Sequence, residues 1–286
     1  MIVQILGMGS IGTFLAYALS KKGLNVLTYD ERRREGHFLY EATINGSPVS
    51  MHLINNVPVA RCCDFVIVTL KSYDLKDRIF DNLSESNKQV LFLQNGVSTY
   101  LAKNGQFNNF HFGTIYGIQA KSEMGIADIR TQNVTVAIIP NQNDSIFKQL
   151  ETVSLKDCLL LHPIDNSKRI YLEKFIRWII SSIICSKYRM PLGSSLRCIQ
   201  DRDLDLLIAS INSFVCTEFN LEVDSGRIRE ALFRLPSDLI TSATRDHLTG
   251  QESELYLEIE FVISKMDQYQ LDTTNLRYWS SHLKNV

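Results

Sequence analysis

The sequence has no excess of charge of either sign: 30 lysines and arginines stand against 31 aspartates and glutamates in 286 residues. Such a balance makes no long-range field to draw in nucleic acid or an anionic membrane, so any anion must be held locally. No apolar run approaches the roughly 18 residues of a membrane span. The chain opens at once on the apolar IVQIL, without the basic stretch and cleavage site of a secretory leader. A cytoplasmic protein with neither a nucleic-acid nor a membrane partner is expected. Six cysteines, Cys62, Cys63, Cys158, Cys185, Cys198 and Cys216, include no C-x-x-C pair, and no histidine stands at metal-ligand spacing. They read as reduced and mostly buried thiols, and no metal is expected. Internal repeats and low-complexity tracts are absent as well.

What is present is ordinary globular composition, 45% hydrophobic and 21% charged. The length favours two domains over one core, since domains mostly run to about 100–150 residues. In the first half, apolar runs of strand length occur at 2–6, 25–30 (NVLTYD), 65–70 (FVIVTL), 90–93 (VLFL) and 111–118 (HFGTIYGI), and helical spacing follows the first of them up to a stop at Gly23. That order is the opening of a βαβ unit. Beyond about residue 164 long amphipathic patterns take over, at 168–187, 201–219, 227–233 and 252–268, and a last helix is expected in the C-terminal stretch. The expected fold is an α/β Rossmann-type domain over residues 1–164 followed by an all-α domain over 165–286, with the break in HPIDNSK.

Gly7, Met8, Gly9, Ser10, Ile11 and Gly12 form G-x-G-x-x-G between the first strand and the first helix. In that setting each glycine has a physical task. The first allows a tight turn, the second lets the backbone approach a pyrophosphate, and the third lets helix and strand pack closely. The helix N-terminus then offers amide donors and a positive dipole to the anion. A dinucleotide cofactor is expected there.

The end of the second strand bears on which dinucleotide. Asp30 lies eighteen residues after Gly12, where a carboxylate can accept from both ribose hydroxyls and repel a 2′-phosphate, favouring NAD. Arg32, Arg33 and Arg34 follow directly, and a guanidinium beside the ribose can grip a 2′-phosphate; a solvated loop is their other reading. The balance leans to NAD and leaves NADP open.

Three further stretches, VTLKSYD at 68–74, LQNGVST at 93–99 and TIYGIQAKSEMGIA at 114–127, together with the glycine turn and the helical second half, resemble the ketopantoate reductase family. The resemblance implies a divergent member that passes hydride between a nicotinamide cofactor, NAD(P)H, and a 2-oxo acid. It implies that Lys71 and Asn95 border nicotinamide and substrate, at the carboxyl ends of strands where such sheets bind ligands. Structurally, Lys71 would otherwise be an exposed loop charge and Asn95 the left-handed residue of an Asn-Gly turn. A late motif in TSATRDHLTGQESE, with Ser242, Asp246 and Glu254 at the family's spacing, implies that Ser242 holds the substrate carboxylate. Glu254 would hold the substrate hydroxyl or orient the acid, and Asp246 would be structural. The competing reading takes Glu252, Glu254, Glu258 and Glu260 as a solvated acidic surface.

The family's central helix carries a catalytic lysine with asparagines four and eight residues later, leading into Pro-Leu. Aligned on Pro191-Leu192, those positions are Ser182, Ser186 and Met190; aligned on Lys174, they are Lys174, Trp178 and Ser182. Reduction of a carbonyl needs a proton at oxygen as hydride reaches carbon, and a serine hydroxyl is too weak an acid to supply it. Lys174, Ser181, Ser182 and Lys187 all lie on this helix. Lys71 is the leading donor candidate and a water held by Ser182 or Ser186 the next, the two serines then contributing to substrate binding, while Lys174, two turns before Ser182, would serve only if the site has shifted along the helix. Leu239, seven residues before Asp246, is a further departure from the family's polar residue there. A nicotinamide-dependent oxidoreductase acting on a 2-oxo acid is therefore expected, in a form compatible with a homodimer. The alternative is a catalytically silent NAD(P)-binding protein.

Overall fold

The structure, a computed structural model, describes residues 1–31, 34–55, 62–75, 77–86, 88–103, 108–123, 126–139, 160–163 and 166–283. The chain divides into two compact units. One comprises Met1–Gln94 and Tyr100–Tyr171; the other comprises Asn95–Thr99 and Leu172–Val286. The boundary expected at residues 164–165 lies outside the described residues.

The first unit is a nine-stranded mixed sheet with short helices. Its described elements are β1 (Ile2–Leu6), α1 (Ser10–Lys21), β2 (Asn25–Tyr29), β3 (Gly36–Ile44), β4 (Ser47–Asn55) and β5 (Phe65–Val68). A 3₁₀ turn (Ser72–Asp74), α2 (Asp77–Glu85), β6 (Gln89–Phe92), α3 (Ser98–Lys103, of which Ser98 and Thr99 fall in the second unit), β7 (Phe110–Glu123), β8 (Ile126–Ile139) and β9 (Leu160–Pro163) follow. The strand order is β3-β4-β2-β1-β5-β6-β7-β8-β9. β2, β1, β5, β6 and β7 run parallel at the centre. The wholly apolar FVIV of β5 suits a strand covered on both faces, and it is buried throughout. From β1 the chain passes first to β2 on one side and later to β5 on the other, which puts the switch of direction at the end of β1.

β3 and β4 were not apparent as strands. They form an antiparallel hairpin closed by Asn45 (φ 52°) and Gly46 (φ 77°), the left-handed pair a two-residue turn requires. β4 continues the sheet beside β2, and β3 also pairs with β8 through Ala42–Ile44. α2 and α3 are seated by an aromatic cluster in which Phe92 lies 5.9 Å from Phe80, 5.1 Å from Phe110 and 5.2 Å from Phe112, ring centre to ring centre. Tyr100 packs edge-on to Phe112 at 5.2 Å.

α4 (Ser167–Tyr188) begins in the first unit and continues into the second, which adds α5 (Leu192–Cys198), α6 (Asp201–Phe219), α7 (Ser225–Phe233), α8 (Ser242–Leu248), α9 (Glu254–Gln268) and α10 (Thr274–Ser281). The long helices fall where the 3.6-residue apolar spacing places them. The shorter α5 and α8 lack enough turns to show that period. Leu204, Leu207, Ile208 and Ile211 of α6, and Ile259 and Val262 of α9, are essentially without solvent contact. Asp224 caps α7 by accepting from the amides of Gly226 (2.8 Å) and Arg227 (3.2 Å). Among the described residues no helix is long and apolar enough to cross a membrane. The cysteines are less hidden than expected: Cys63 and Cys185 are buried, but Cys62, Cys198 and Cys216 are exposed, and Cys158 lies outside the described residues.

His111, in β7, is buried, with Nε2 at 2.7 Å from Gln89 Oε1 and Nδ1 without a hydrogen-bond partner. Desolvation brings its pKa down from 6.5 to about 4. Between those values the unfolded chain binds the proton that the folded chain refuses, so stability present above pH 6.5 is lost as pH falls toward 4, by about 3 kcal/mol. Urea titrations across that interval are expected to show the loss, and His111→Gln to remove most of its slope.

Candidate functional site

The glycine turn is fixed from several sides within the first unit. Gly7 N–H donates to Tyr29 O (2.9 Å), Thr69 N–H to Leu6 O (2.8 Å), and Thr69 Oγ1–H to Gly7 O (2.7 Å). Gly7 has φ 101°, and a Cβ there would lie 2.7 Å from Leu70 N. At Gly12 a Cβ would come within 1.9 Å of Gly7 O. Both glycines are thus required by contact with backbone. Gly9 differs: a Cβ there meets nothing within 4 Å, so the space over it is open. It is the N-cap of α1, has no side chain to cap the helix, and the first turn carries no acid. Open space at a bare helix N-terminus is the arrangement a pyrophosphate fits.

The missed hairpin supports this turn. Tyr40 of β3 donates from its hydroxyl to Met8 O (3.2 Å) and accepts from Thr13 Oγ1 of α1 (3.1 Å). The end of β4 supports the chain at Asp30. Asp30 is buried just beyond β2, where its N–H donates to Asn55 Oδ1 (2.9 Å) and its carbonyl accepts from Asn55 Nδ2 (3.2 Å). The same Nδ2 donates to Arg34 O (3.3 Å), so one asparagine shapes the chain around the acid. Arg34 is exposed; Arg32 and Arg33 lie outside the described residues.

Lys71 follows β5 and leads into the 3₁₀ turn, its carbonyl accepting from Asp74 N (3.0 Å) and its Nζ standing 5.5 Å from the centre of the Tyr73 ring. Gln94 Nε2 donates to Leu70 O (2.7 Å), tying the ends of β5 and β6 together. Asn95 is half-buried and does not adopt the left-handed conformation; Gly96, at φ 89°, does. The structural reading of Asn95 as the left-handed residue of its turn is thereby corrected. Glycine takes that conformation at the lower steric cost.

In the helical unit the five polar residues singled out on α4 separate clearly. Ser181 Oγ–H donates back to Arg177 O (2.7 Å). Lys187 Nζ stands 4.2 Å from the centre of the Trp279 ring and donates to Tyr278 Oη (3.1 Å). Ser182 and Ser186 are buried in a hydroxyl cluster: Ser182 Oγ is 2.8 Å from Thr241 Oγ1, Thr241 Oγ1 is 2.8 Å from Thr244 Oγ1, and Ser186 Oγ–H donates to Thr244 Oγ1 (3.3 Å). These hydroxyls satisfy one another between α4 and α8. Lys174 remains, partly shielded from solvent, its pKa brought down from 10.5 to about 7 first by burial and then by the charge of Arg177.

Ser242 is the first residue of α8, half-buried, after the cap Thr241, whose hydroxyl accepts from Thr244 N. Glu254 opens α9 and is buried, as is Glu258 one turn later, while Glu252 is exposed and Glu260 accepts from Ser280 Oγ (2.8 Å). A solvated acidic face is therefore ruled out for Glu254 and Glu258. Glu258 was not apparent as a functional candidate. Its one sequence signal is its place one helical turn from Glu254.

A parallel sheet that switches direction at an open glycine turn, with an acid beyond the second strand, defines a dinucleotide-binding α/β unit; here it is followed by a helical one. Residues 3–138 match the family model described as ketopantoate reductase PanE/ApbA. No curated protein matches the sequence. Solved structures share the fold over nearly the whole length. A dimeric ketopantoate reductase from Staphylococcus aureus is 17% identical, with 99% of this chain and 98% of that one covered and a TM-score of 0.77. For 2-dehydropantoate 2-reductase from Geobacter metallireducens the values are 14%, 99%, 99% and 0.80. For D-mandelate dehydrogenase with NADH and anilino(oxo)acetate they are 16%, 99%, 97% and 0.82. At these identities the likeness establishes the fold.

The two inner glycines should respond oppositely to one methyl group. Gly9→Ala is expected to leave the thermal midpoint within about 1 °C, since its Cβ meets open space, whereas Gly12→Ala should cost roughly 1–3 kcal/mol or more by overpacking. Calorimetry on both variants checks this.

Proposed function

We propose that the chain is a nicotinamide-dependent oxidoreductase that interconverts a 2-oxo acid and the corresponding 2-hydroxy acid. The observation that carries this reading is the open space over Gly9 at the bare start of α1, within the region that matches the ketopantoate reductase family model. Residues 1–164 would hold the dinucleotide and residues 165–286 would serve the substrate. The pyrophosphate would lie against the amides of the Gly7–Gly12 turn, and the Asp30 carboxylate would accept from the ribose hydroxyls, which favours NADH over NADPH. When bound, the nicotinamide supplies hydride to the carbonyl carbon.

The remaining roles belong to side chains. Lys174 is the proposed proton donor to the carbonyl oxygen, since an ammonium near pKa 7 can both hold and release a proton at neutral pH. Lys71 and Asn95 contact the reacting groups, Ser242 holds the substrate carboxylate, and Glu254 orients the acid. Ser182 and Ser186 are structural in this reading, because their hydroxyls bond Thr241 and Thr244. The same observation supports the second reading, a silent NAD(P)-binding protein, because the helix positions that align on Pro191 carry no acid. The dimeric S. aureus enzyme is the basis for proposing a homodimer.

Titration with NADH and NADPH by fluorescence, followed by ketopantoate and a panel of 2-oxo acids, tests both readings. Tighter binding of NADH and its oxidation by at least one acid are expected; tight binding with no oxidation by any of them would select the silent protein. With a competent substrate, the reduction rate should fall as pH rises through about 7, because the donor must carry its proton. Lys174→Met should lower kcat by about 10²–10⁴-fold and abolish that limb. Loss of the limb in Lys71→Met instead would make Lys71 the donor.

A further inference from the structure

The segment Asn95–Thr99 follows β6 after only Leu93 and Gln94, yet it is part of the helical unit. Glu258 provides a specific reason. Its side chain, 1% exposed on α9, reaches the turn with both carboxylate oxygens. Oε2 accepts from Val97 N–H (3.0 Å) and Ser98 N–H (3.2 Å), and Oε1 accepts a short hydrogen bond from the Ser98 hydroxyl. Gly96 passes over the same carboxylate so closely that a Cβ would lie 2.3 Å from its carbon and from Oε1. Glycine is thus required twice at this position, by its left-handed φ of 89° and by the carboxylate beneath it. Burial pushes the Glu258 pKa upward, and the three donors oppose that shift.

Such an acid is expensive to bury, and one whose partners all lie in a single short turn is arranged to hold that turn. We infer that Glu258 is a positioning residue: it sets the Asn95-Gly96 turn from α9 and so aims the Asn95 side chain. The inference rests on the proposed function for the role of Asn95. It indexes Asn95 to the helix that begins with Glu254, so that both groups are placed by one rigid element.

Amide hydrogen exchange on the full chain, read at Val97 and Ser98, tests the hold without needing turnover. In Glu258→Ala exchange at both amides is expected to rise at least tenfold while Ile259 and Val262 keep their protection. The isosteric Glu258→Gln, which keeps one carbonyl acceptor, should restore part of it; should the alanine variant fold poorly, Glu258→Gln and Ser98→Ala supply the comparison. With a competent 2-oxo acid, Glu258→Ala should raise KM about as much as Asn95→Ala, with a smaller change in kcat, and the double variant should be no worse than either. Unchanged exchange at Val97 and Ser98 would overturn the inference. So would a loosened turn that leaves KM unaltered while Asn95→Ala raises it. Loosened exchange combined with an inert Asn95→Ala would uphold the hold on the turn and retire the substrate role of Asn95, so failure of the functional reading is distinguishable.

Discussion

The ends of β1 and β5 meet so tightly that no side chain fits between them: a methyl group on Gly7 would touch the Leu70 amide, and one on Gly12 would run into the Gly7 carbonyl. Much of the first unit depends on that approach. It brings the Thr69 hydroxyl onto the carbonyls of Leu6 and Gly7, and it starts α1 where the sheet switches direction. Because the contacts are backbone to backbone, the turn needs no side chain of its own. Gly9 is left open, and among the described residues no side chain caps the start of α1, so an anion can approach its amides.

Around this turn the β3–β4 hairpin has a second task besides extending the sheet. Tyr40 reaches Met8 and Thr13 from β3, and Asn55 shapes the chain around Asp30 from the end of β4. The glycine turn and the Asp30 backbone are thereby both buttressed by one antiparallel element.

In the helical unit polar groups are buried in two distinct ways. Ser182, Ser186, Thr241 and Thr244 are neutral hydroxyls that satisfy one another, a low-cost way to join α4 to α8. Glu258 is an ionisable group held out of water and Lys174 one partly shielded from it, and each shows the consequence in a shifted pKa. A protein keeps charges in such places where structure or chemistry uses them. Glu258 uses both carboxylate oxygens on the Val97 and Ser98 amides and the Ser98 hydroxyl.

Local spacing was enough to reveal the G-x-G-x-x-G turn between strand and helix, the acid eighteen residues on, and the long helices α4, α6 and α9, because each is written within one or two turns of chain. The β3–β4 hairpin was legible in principle from Asn45-Gly46, but its half-exposed strands alternate weakly. What tertiary structure alone decided is the fate of the polar residues. The Val97 amide meets Glu258 across 161 positions, and Ser182 meets Thr241 across 59. No local pattern distinguishes Glu258 from a solvated acid, or Ser182 from a substrate ligand, because a buried polar group is defined by the partner that folding brings to it and not by its neighbours in the chain.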